Sequence, residues 1–394
     1  MLTKEVSQKY LNDALISIHA ARANSLFETS WALTKQCDLT IASLGRNRDG
    51  EAYVKHKIKS VDRLIGNSIL HKELATVYKE FFQPWIACIP TLYIIVDWSG
   101  CCREDIHMLR ASVMYDGRSV TIYNEIHPQE MLGNREVHKK FLANLYKQIP
   151  VGKRVVVVTD AGFITPWFNA VLKLGWDYVG RLKGDVKILL DDRPRWMRAK
   201  NLHRKASTRV RYVGNGIIGS SSTTPVKGNI YSYKKKPKMR KGKSRYPDVN
   251  KRYSAANKTP WILATSLKNN EYDKYVVKNI YGKRMQIEQT FRDDKDPRFG
   301  FGWRFARNNN LNRIAVLCLI ASIAAYFLLT IGILAEKMGL HRRYQVNSTK
   351  KKRVLSLLTL ARQVVQHNPP SELTQDYKQS TRQLIRNNEI LYGH

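Results

Sequence analysis

The chain has 394 residues, of which 43% are hydrophobic and 25% are charged, so it can build a core and is not disordered throughout. Lys and Arg total 67 against 32 Asp and Glu, which gives a formal net charge of +35. This excess indicates a polyanionic partner, with nucleic acid favoured over an anionic membrane surface. The length predicts two or three domains.

Several protein classes are excluded by motifs. The first 30 residues contain no continuous apolar run, so no secretory signal peptide is expected. The five cysteines include no C-x-x-C pair, which argues against a disulfide framework and a zinc site and favours a reduced cytoplasm. Neither a P-loop nor an H-E-x-x-H zinc-protease motif occurs.

Residues 1–89 are predicted to form an N-terminal helical domain. Two short helical segments, DLTIASLGR and VKHKIKSVDRLIGN, are separated by the turn-rich NRDG, an arrangement compatible with a helix-turn-helix. The second segment would present four basic side chains to DNA: Lys55, Lys57, Lys59 and Arg63. A solvated basic helix face is the alternative interpretation of the same residues.

Residues 90–190 show the pattern of an α/β core. The predicted order is a strand, a hairpin turning at Asp116-Gly117, a helix over 134–148, a strand, a helix and a last strand. Two of the predicted strands outside the hairpin, TLYIIVDWS and VVVVTD, each contain an aspartate at or near their end. This order matches the first part of a ribonuclease-H-like fold, in which the first strand lies beside the fourth.

Residues 191–270 are predicted to form a basic, β-rich insertion. Residues 193–252 contain 19 Lys or Arg and a single acid, with tyrosines interleaved. NIYSYK and WILATSL are predicted strands, and KKKPKMRKGKSR is a predicted loop. Aromatic residues among so many cations favour a polynucleotide contact, although a solvated basic loop would have the same charge.

Residues 271–336 are predicted to complete the core, and 337–394 form a polar, helical C-terminal region. The segment from Ile314 to Ala335 has 22 residues without a charge, long enough to span a bilayer. The alternative is a fully buried helix at the centre of the core. We favour the buried helix, because a membrane span would be the only one in an otherwise soluble, basic chain.

Two aspartates follow apolar strands. Asp97 stands at the end of IIVD and Asp160 at the end of VVVVTD. A carboxylate there is costly without a cation or a hydrogen-bond partner, and each residue alone could be a strand cap or turn former. If the two strands are neighbours, both carboxylates lie within reach of one divalent ion, which Mg²⁺ would suit.

A third element lies in NIYGKRMQIEQTFRDDK, residues 279–295. Tyr281, Arg284, Glu288 and Lys295 follow one another at steps of three, four and seven, which on a helix keeps them on one stripe. The opposite face, with Ile280, Met285, Ile287 and Phe291, is apolar enough to pack. The stripe is either an exposed salt-bridge ladder or the source of a third metal-binding carboxylate, with cations that bind phosphates.

These motifs together resemble the DDE transposases of bacterial insertion sequences, in the group with the Y-x₂-R-x₃-E-x₆-K signature. The signature fits Tyr281, Arg284, Glu288 and Lys295 without a spacing error, and VDWS, TDAGF, LRASV and PWILATSL add to the likeness. Within the group, the sequence is most similar to the transposase of a tetracycline-resistance transposon. The resemblance implies a ribonuclease-H-like catalytic core with an inserted β-rich module.

The resemblance also implies an activity and its partners. Asp97, Asp160 and Glu288 would hold two Mg²⁺ ions, for which Mn²⁺ can substitute. The substrates would be the inverted repeats at the element's ends and target DNA, bound by a homodimer in the bacterial cytoplasm, associated with the nucleoid. Trp261 matches the position of a tryptophan that holds a displaced base at a hairpin; an ordinary buried strand tryptophan is the alternative.

Three other functions remain open on the residues alone. A metal-dependent nuclease or resolvase of the same fold would need the three carboxylates but not the stripe or the tryptophan. A DNA-binding protein without catalysis would tolerate loss of the carboxylates. A membrane protein organised by the apolar helix is the third alternative, and fractionation of cytosol from membrane would identify it.

Overall fold

The computed structural model describes residues 2–35, 37–115, 117–219, 224–235, 259–346, 348–349 and 352–367. Asp116 of the predicted hairpin turn, residues 236–245 of the predicted basic loop, and the chain beyond residue 367 lie outside these ranges. In chain order the strands are β1 (Thr91–Gly100), β2 (Ile106–Met114), β3 (Ser119–Pro128), β4 (Arg154–Thr159), β5 (Asp177–Arg181), β6 (Lys187–Leu190), β7 (Met197–Arg198), β8 (Arg211–Ile218), β9 (Val226–Tyr233) and β10 (Trp261–Thr265).

Helices surround these strands. In chain order they are α1 (Leu2–Ala14), α2 (Ala20–Thr34), α3 (Ile41–Asn47), α4 (Val54–Ile65), α5 (Ser68–Ala87), α6 (Arg135–Gln148), α7 (Thr165–Lys173), α8 (Lys274–Lys283), α9 (Met285–Lys295), α10 (Leu311–Lys337), α11 (His341–Tyr344) and α12 (Leu357–Gln366). The chain is therefore of the mixed α/β class, as the sequence predicts.

The strands form one mixed sheet in the order β3-β2-β1-β4-β5-β10-β9-β8-β6-β7. The first strand, β1, pairs in parallel with β4, the fourth, and β4 pairs in parallel with β5. The β2–β3 pair is antiparallel, as the hairpin prediction requires. The neighbouring positions of β1 and β4 confirm the strand arrangement expected of a ribonuclease-H-like core.

The strands β6 to β10 extend the same sheet beyond β5. Strand β10 pairs antiparallel with both β5 and β9, and β8 joins β9 to β6. The runs NIYSYK and WILATSL lie in or overlap β9 and β10, in agreement with their β-branched and aromatic composition. The described strands of the basic segment, β7 to β9, thus lie in the part of the sheet that is farther from β3.

The uncharged segment forms the greater part of α10. By length and composition this helix could cross a membrane, yet 89% of its most apolar window is buried inside the molecule. It packs against β3, α2, α5 and α12. At Gly332 an added Cβ would lie only 2.4 Å from the carbonyl oxygen of Leu357, so a larger residue would push α12 away. Burial on all sides accounts for a helix without a polar face.

The N-terminal helices pack on the same long helix. Tyr10 of α1 and Phe81 of α5 make ring contacts with Tyr326 at 5.6 and 5.4 Å, and Arg313 forms an ion pair with Asp62 of α4 at 2.7 Å. Helices α3 and α4 follow each other closely, as predicted. Their close approach depends on a glycine at position 45, where a Cβ would lie 2.6 Å from the Cα of Ile58.

Candidate active site

The two aspartates lie side by side on adjacent strands. Asp97 is inside β1, which continues to Gly100, and Asp160 directly follows β4. Val96 is paired with Thr159 in the parallel ladder, and an aspartate follows each of them in the sequence. The two aspartates therefore start from neighbouring backbone positions. One Asp160 oxygen accepts the Gly162 N–H at 2.7 Å, and a Cβ on Gly162 would approach that oxygen to 2.9 Å, so the turn favours glycine.

The glutamate is brought to the first aspartate by an arginine. The guanidinium of Arg284 donates to Asp97 at 3.0 Å through one nitrogen and to Glu288 through another. Burial raises the pKa of Asp97 to about 7; Arg284 opposes this shift, and the negative charges of Asp160 and Glu288 add to it. The partly buried Asp97 carboxylate is therefore close enough to Asp160 and Glu288 to be affected by their charges.

The helix that carries the stripe is interrupted at one residue. The sequence predicts a single helix over 279–295, whereas α8 ends at Lys283 and α9 begins at Met285. Around Arg284 the backbone N–H groups donate to the carbonyl three residues earlier instead of four. The Arg284 N–H donates to the Tyr281 carbonyl and the Ile287 N–H to the Arg284 carbonyl, which tightens the turn. Arg284 and Glu288 still meet, but the stripe does not follow one straight helix.

The packing face of this helix is partly polar. Ile280, Ile287 and Phe291 are buried as predicted. Met285 is 39% exposed, so its prediction as a packing residue is wrong. The next residue, Gln286, is 8% exposed and takes the inner position at the start of α9 instead.

Four side chains of α9 attach it to the β2–β3 hairpin. Gln286 accepts the Tyr115 N–H at 3.0 Å, and Thr290 accepts the Ser119 N–H at 3.1 Å. Asp294 pairs with the fully buried Arg110 at 2.6 Å, and Asp293 pairs with Arg118. Sequence reasoning missed these bonds. The available signal was an arginine inside the apolar strand LRASV, since a buried cation requires a partner.

An open cleft of about 750 Å³ lies over the carboxylates. Its lining includes Asp97, Asp160, Arg284, Glu288, Arg292, Lys295, Arg304 and Phe305. The Lys295 ammonium donates to the Ser99 hydroxyl at 2.8 Å at the end of β1, and burial together with the charge of Arg304 lowers its pKa. The lining of the cleft thus combines acidic groups with cations suited to phosphates. Arg292, Arg304 and Phe305 were not predicted from the sequence.

Tyr281 and Trp261 lie beside this cleft. Tyr281 is only 4% exposed; its ring packs edge-on against Trp261 at 4.8 Å, with the Arg284 guanidinium 6.0 Å from its centre. Trp261 begins β10, is half-buried, and also contacts Tyr233 and the Lys235 ammonium. The predicted DNA contacts of both residues remain predictions.

The basic residues of α4 are distant in sequence from the residues that line the cleft. Lys55, Lys59 and Arg63 are exposed, and Lys57 is half-buried with its ammonium on the Gly50 carbonyl. Lys59 also pairs with Asp62 at 3.1 Å. The outer face of α4 is therefore available to a partner, and its contact with DNA remains a prediction.

The carboxylate set suits a divalent cation in its chemistry. Across the described ranges, no three acidic, histidine or cysteine side chains are already grouped around one point as metal ligands. The guanidinium of Arg284 instead supplies the positive charge between Asp97 and Glu288. Mg²⁺ and Mn²⁺ bind carboxylate oxygens, and three carboxylates line this one cleft, Asp97 among them half-buried, so the donor set fits.

The chain matches a protein-family model. The profile described as "Transposase DDE domain" matches residues 96–327, more than half of the chain, and this range contains Asp97, Asp160 and Glu288. A comparison with curated proteins gives no significant match. Members of this family use divalent metal ions and act on DNA. The chain therefore belongs to the DDE transposases, enzymes that cleave DNA and transfer the cut strand.

Proposed function

We propose that the protein catalyses cut-and-paste transposition of a bacterial insertion sequence and belongs to the Y-x₂-R-x₃-E-x₆-K group, with the transposase of the tetracycline-resistance transposon as a close relative. The observation that carries the proposal is the convergence of Asp97, Asp160 and Glu288 on one cleft that also contains Arg284 and Lys295. A structural salt-bridge ladder would not require carboxylates from two neighbouring strands at the same point.

The proposed roles follow from the positions of the side chains. Asp97, Asp160 and Glu288 would hold two Mg²⁺ ions, for which Mn²⁺ can substitute, and bound metal would activate the attacking oxygen and stabilise the leaving oxygen. Arg284 keeps Asp97 and Glu288 together by its two ion pairs. Lys295, held near Ser99, and Arg284 would neutralise phosphate charge beside the scissile bond.

The proposed reaction has four phosphodiester displacements at the same cleft. Water cuts one strand at the element's end and frees a 3′-hydroxyl. That hydroxyl attacks the opposite strand and forms a hairpin, which a second water reopens. The 3′-hydroxyl then attacks target DNA and joins the element to it. Each step replaces one P–O bond by another, so one set of side chains can serve all four.

A gel assay tests this function directly. The full chain is incubated with labelled DNA from the element's end and Mg²⁺, and the products are separated under denaturing conditions. Nicked, hairpin and joined products are expected in that order. Nicked product alone, without hairpin or joined DNA, would favour a metal-dependent nuclease of the same fold. Binding without any cut would favour a DNA-binding protein.

The remaining parts of the chain have proposed roles in DNA handling. Helices α3 and α4 would read the terminal inverted repeats, with Lys55, Lys57, Lys59 and Arg63 at the DNA, and the basic β-rich insertion would contact the same duplex. Two ends would be paired by a homodimer. We place the protein in the bacterial cytoplasm at the nucleoid, without membrane association, because burial inside the fold accounts for the composition of α10.

End binding is expected to weaken steeply with salt. About six phosphate contacts imply a slope of log affinity against log salt near −5, because each neutralised phosphate releases a counterion. Replacing Lys55, Lys57, Lys59 and Arg63 by Gln should make the slope less steep, by about 0.9 for each phosphate that is no longer neutralised. Fluorescence anisotropy with labelled end DNA at several salt concentrations measures both values.

The control for that series removes two positive charges elsewhere on the surface, one on each of two other helices. Lys9 and Lys139 are exposed on α1 and α6, with side chains 75% and 59% accessible. Their replacement by Gln should leave the slope unchanged. A slope near zero for the unaltered protein would contradict DNA as the partner of its surplus charge.

Trp261→Ala is expected to impair hairpin formation while first-strand nicking continues. Stacking of a base on an aromatic ring is worth about 1–3 kcal/mol, which corresponds to roughly a tenfold to hundredfold loss of hairpin product. Trp261→Phe and Trp261→Tyr should recover part of it, because both keep a ring face. Product yields over time on a denaturing gel measure the effect.

The alternative role of Trp261 makes a different prediction. If its ring serves only to pack on Tyr233 and Tyr281, removal should cost about 3–5 kcal/mol of stability, and binding, nicking and solubility should fail together. Thermal unfolding of Trp261→Ala separates the two cases. A stable variant with the hairpin yield of the unaltered protein would contradict both.

A further inference from the structure

An exposed aromatic ring borders the cleft on the segment between α9 and α10. Phe305 is 48% exposed and lines the cleft together with Arg304. The two other large rings along the lining are engaged within the protein. Phe291 is 6% exposed and lies under the Arg110 guanidinium at 5.0 Å, and half-buried Trp98 donates to His138 at 2.9 Å. Phe305 is therefore the ring whose face is most available to a ligand.

The segment that carries Phe305 is firmly held. The Asp296 carboxylate accepts two backbone N–H groups, those of Arg298 and Phe299, both at 2.8 Å. Arg362, only 3% exposed, donates to the carbonyls of residues 299 and 300 at 2.9 and 2.8 Å. Trp303, two residues before Phe305, is fully buried. The exposure of Phe305 thus belongs to an ordered platform and not to a loose loop.

The neighbours of Phe305 are cationic. Arg304 and Arg307 are exposed on either side of it in the sequence, and Arg292 lines the same cleft. Arg307 has a φ of +37°, a conformation that costs free energy in a residue with a side chain. An exposed ring that shares a cleft with arginines is the combination that single-stranded nucleic acids bind, since bases stack on the ring and phosphates pair with the cations.

We propose that Phe305 is a base-stacking residue: an unpaired base beside the scissile phosphate lies on its ring, while Arg304 contacts the adjoining phosphate. The base must be unpaired or at a strand end, because a base inside a duplex has no free face. The site is separate from that of Trp261, whose ring packs on Tyr233 and Tyr281. It rests on the proposed function, because the cleft must receive a DNA end.

Fluorescence of 2-aminopurine tests the site without requiring cleavage. The base analogue is placed, one position at a time, at the nucleotides that flank the cleavage site in end DNA, and the full chain is added without divalent metal. Stacking on Phe305 should quench the signal at one position. Phe305→Ala should restore the fluorescence there and weaken binding of frayed end DNA about tenfold to a hundredfold. Phe305→Trp should keep both properties.

Phe299 supplies the matched control. It lies on the same segment and is 64% exposed, and its backbone bonds to Asp296 and Arg362 do not use its ring. Phe299→Ala should behave as the unaltered protein. Unchanged quenching and affinity in Phe305→Ala would overturn the stacking site. Failure of the unaltered protein to cut end DNA with Mg²⁺ would contradict the proposed function instead, and the fluorescence result would still decide the role of Phe305.

Discussion

Replacing Asp97, Asp160 or Glu288 by Ala is expected to abolish nicking, hairpin formation and strand joining. Each variant removes one carboxylate of the shared set, and metal-supported charge stabilisation is worth several kcal/mol, which corresponds to a rate loss of about a thousandfold or more. Binding of end DNA should survive, because phosphate contacts supply most of the affinity. Parallel cleavage gels and anisotropy titrations measure the two effects.

Two further variants make this result specific. Asp97→Asn keeps the size of the side chain, so equal loss of cleavage would show that the charge matters and not the volume. Glu136 is an exposed acid on α6 whose ion pair is with Lys139, on the same helix, and Glu136→Gln should cut DNA normally. Robust nicking by any of the three alanine variants would contradict the assignment of that residue.

Asp294→Leu is expected to destabilise the protein by about 3–5 kcal/mol. Asp294 is the buried partner of Arg110, and the side chains are only 4% and 2% exposed, so the variant leaves a cation without a counter-charge in the core. The same helix carries Glu288, and loosening α9 from the hairpin should reduce cleavage as well. Urea unfolding measures the change in free energy.

A double variant separates the loss of the charge partner from loss of packing. Arg110→Met combined with Asp294→Leu removes both charges and should recover most of the stability, because apolar side chains can replace a buried ion pair at little cost. Replacement of the 82% exposed Asp185 by Ala should change the free energy of unfolding by less than about 1 kcal/mol. If Asp294→Leu is as stable as the unaltered protein, the ion pair does not anchor α9.

Local pattern was sufficient for many elements of the fold. The periodicity of residues 134–148 predicts a helix, and α6 occupies Arg135–Gln148 with Asn134 as its cap. The apolar run before Asp160 predicts a buried strand, and β4 is buried from residue 155 to 159. These predictions succeed because backbone conformation and burial of a face depend on residues close together in the chain.

The carboxylates could be chosen from the sequence, but their surroundings could not. Asp97 and Asp160 stand after apolar runs, and the spacing around Glu288 matches a known signature, so the residue types and spacing were informative. The ion pair from Arg284 to Asp97 joins residues 187 positions apart, and the bond from Arg110 to Asp294 joins residues 184 apart. No local period carries information about such contacts.

The sequence by itself therefore determined the excess of cations and most of the helices and strands, and it singled out the three acidic residues proposed for the site. Only the tertiary structure decided the turn at Arg284, the polar attachment of α9 to the β2–β3 hairpin, and the exposed ring of Phe305 on the cleft that contains the carboxylates. The physical reason is that these features arise where the folded chain brings segments distant in sequence into contact. Contacts between side chains that meet only after the chain has folded stabilise these features.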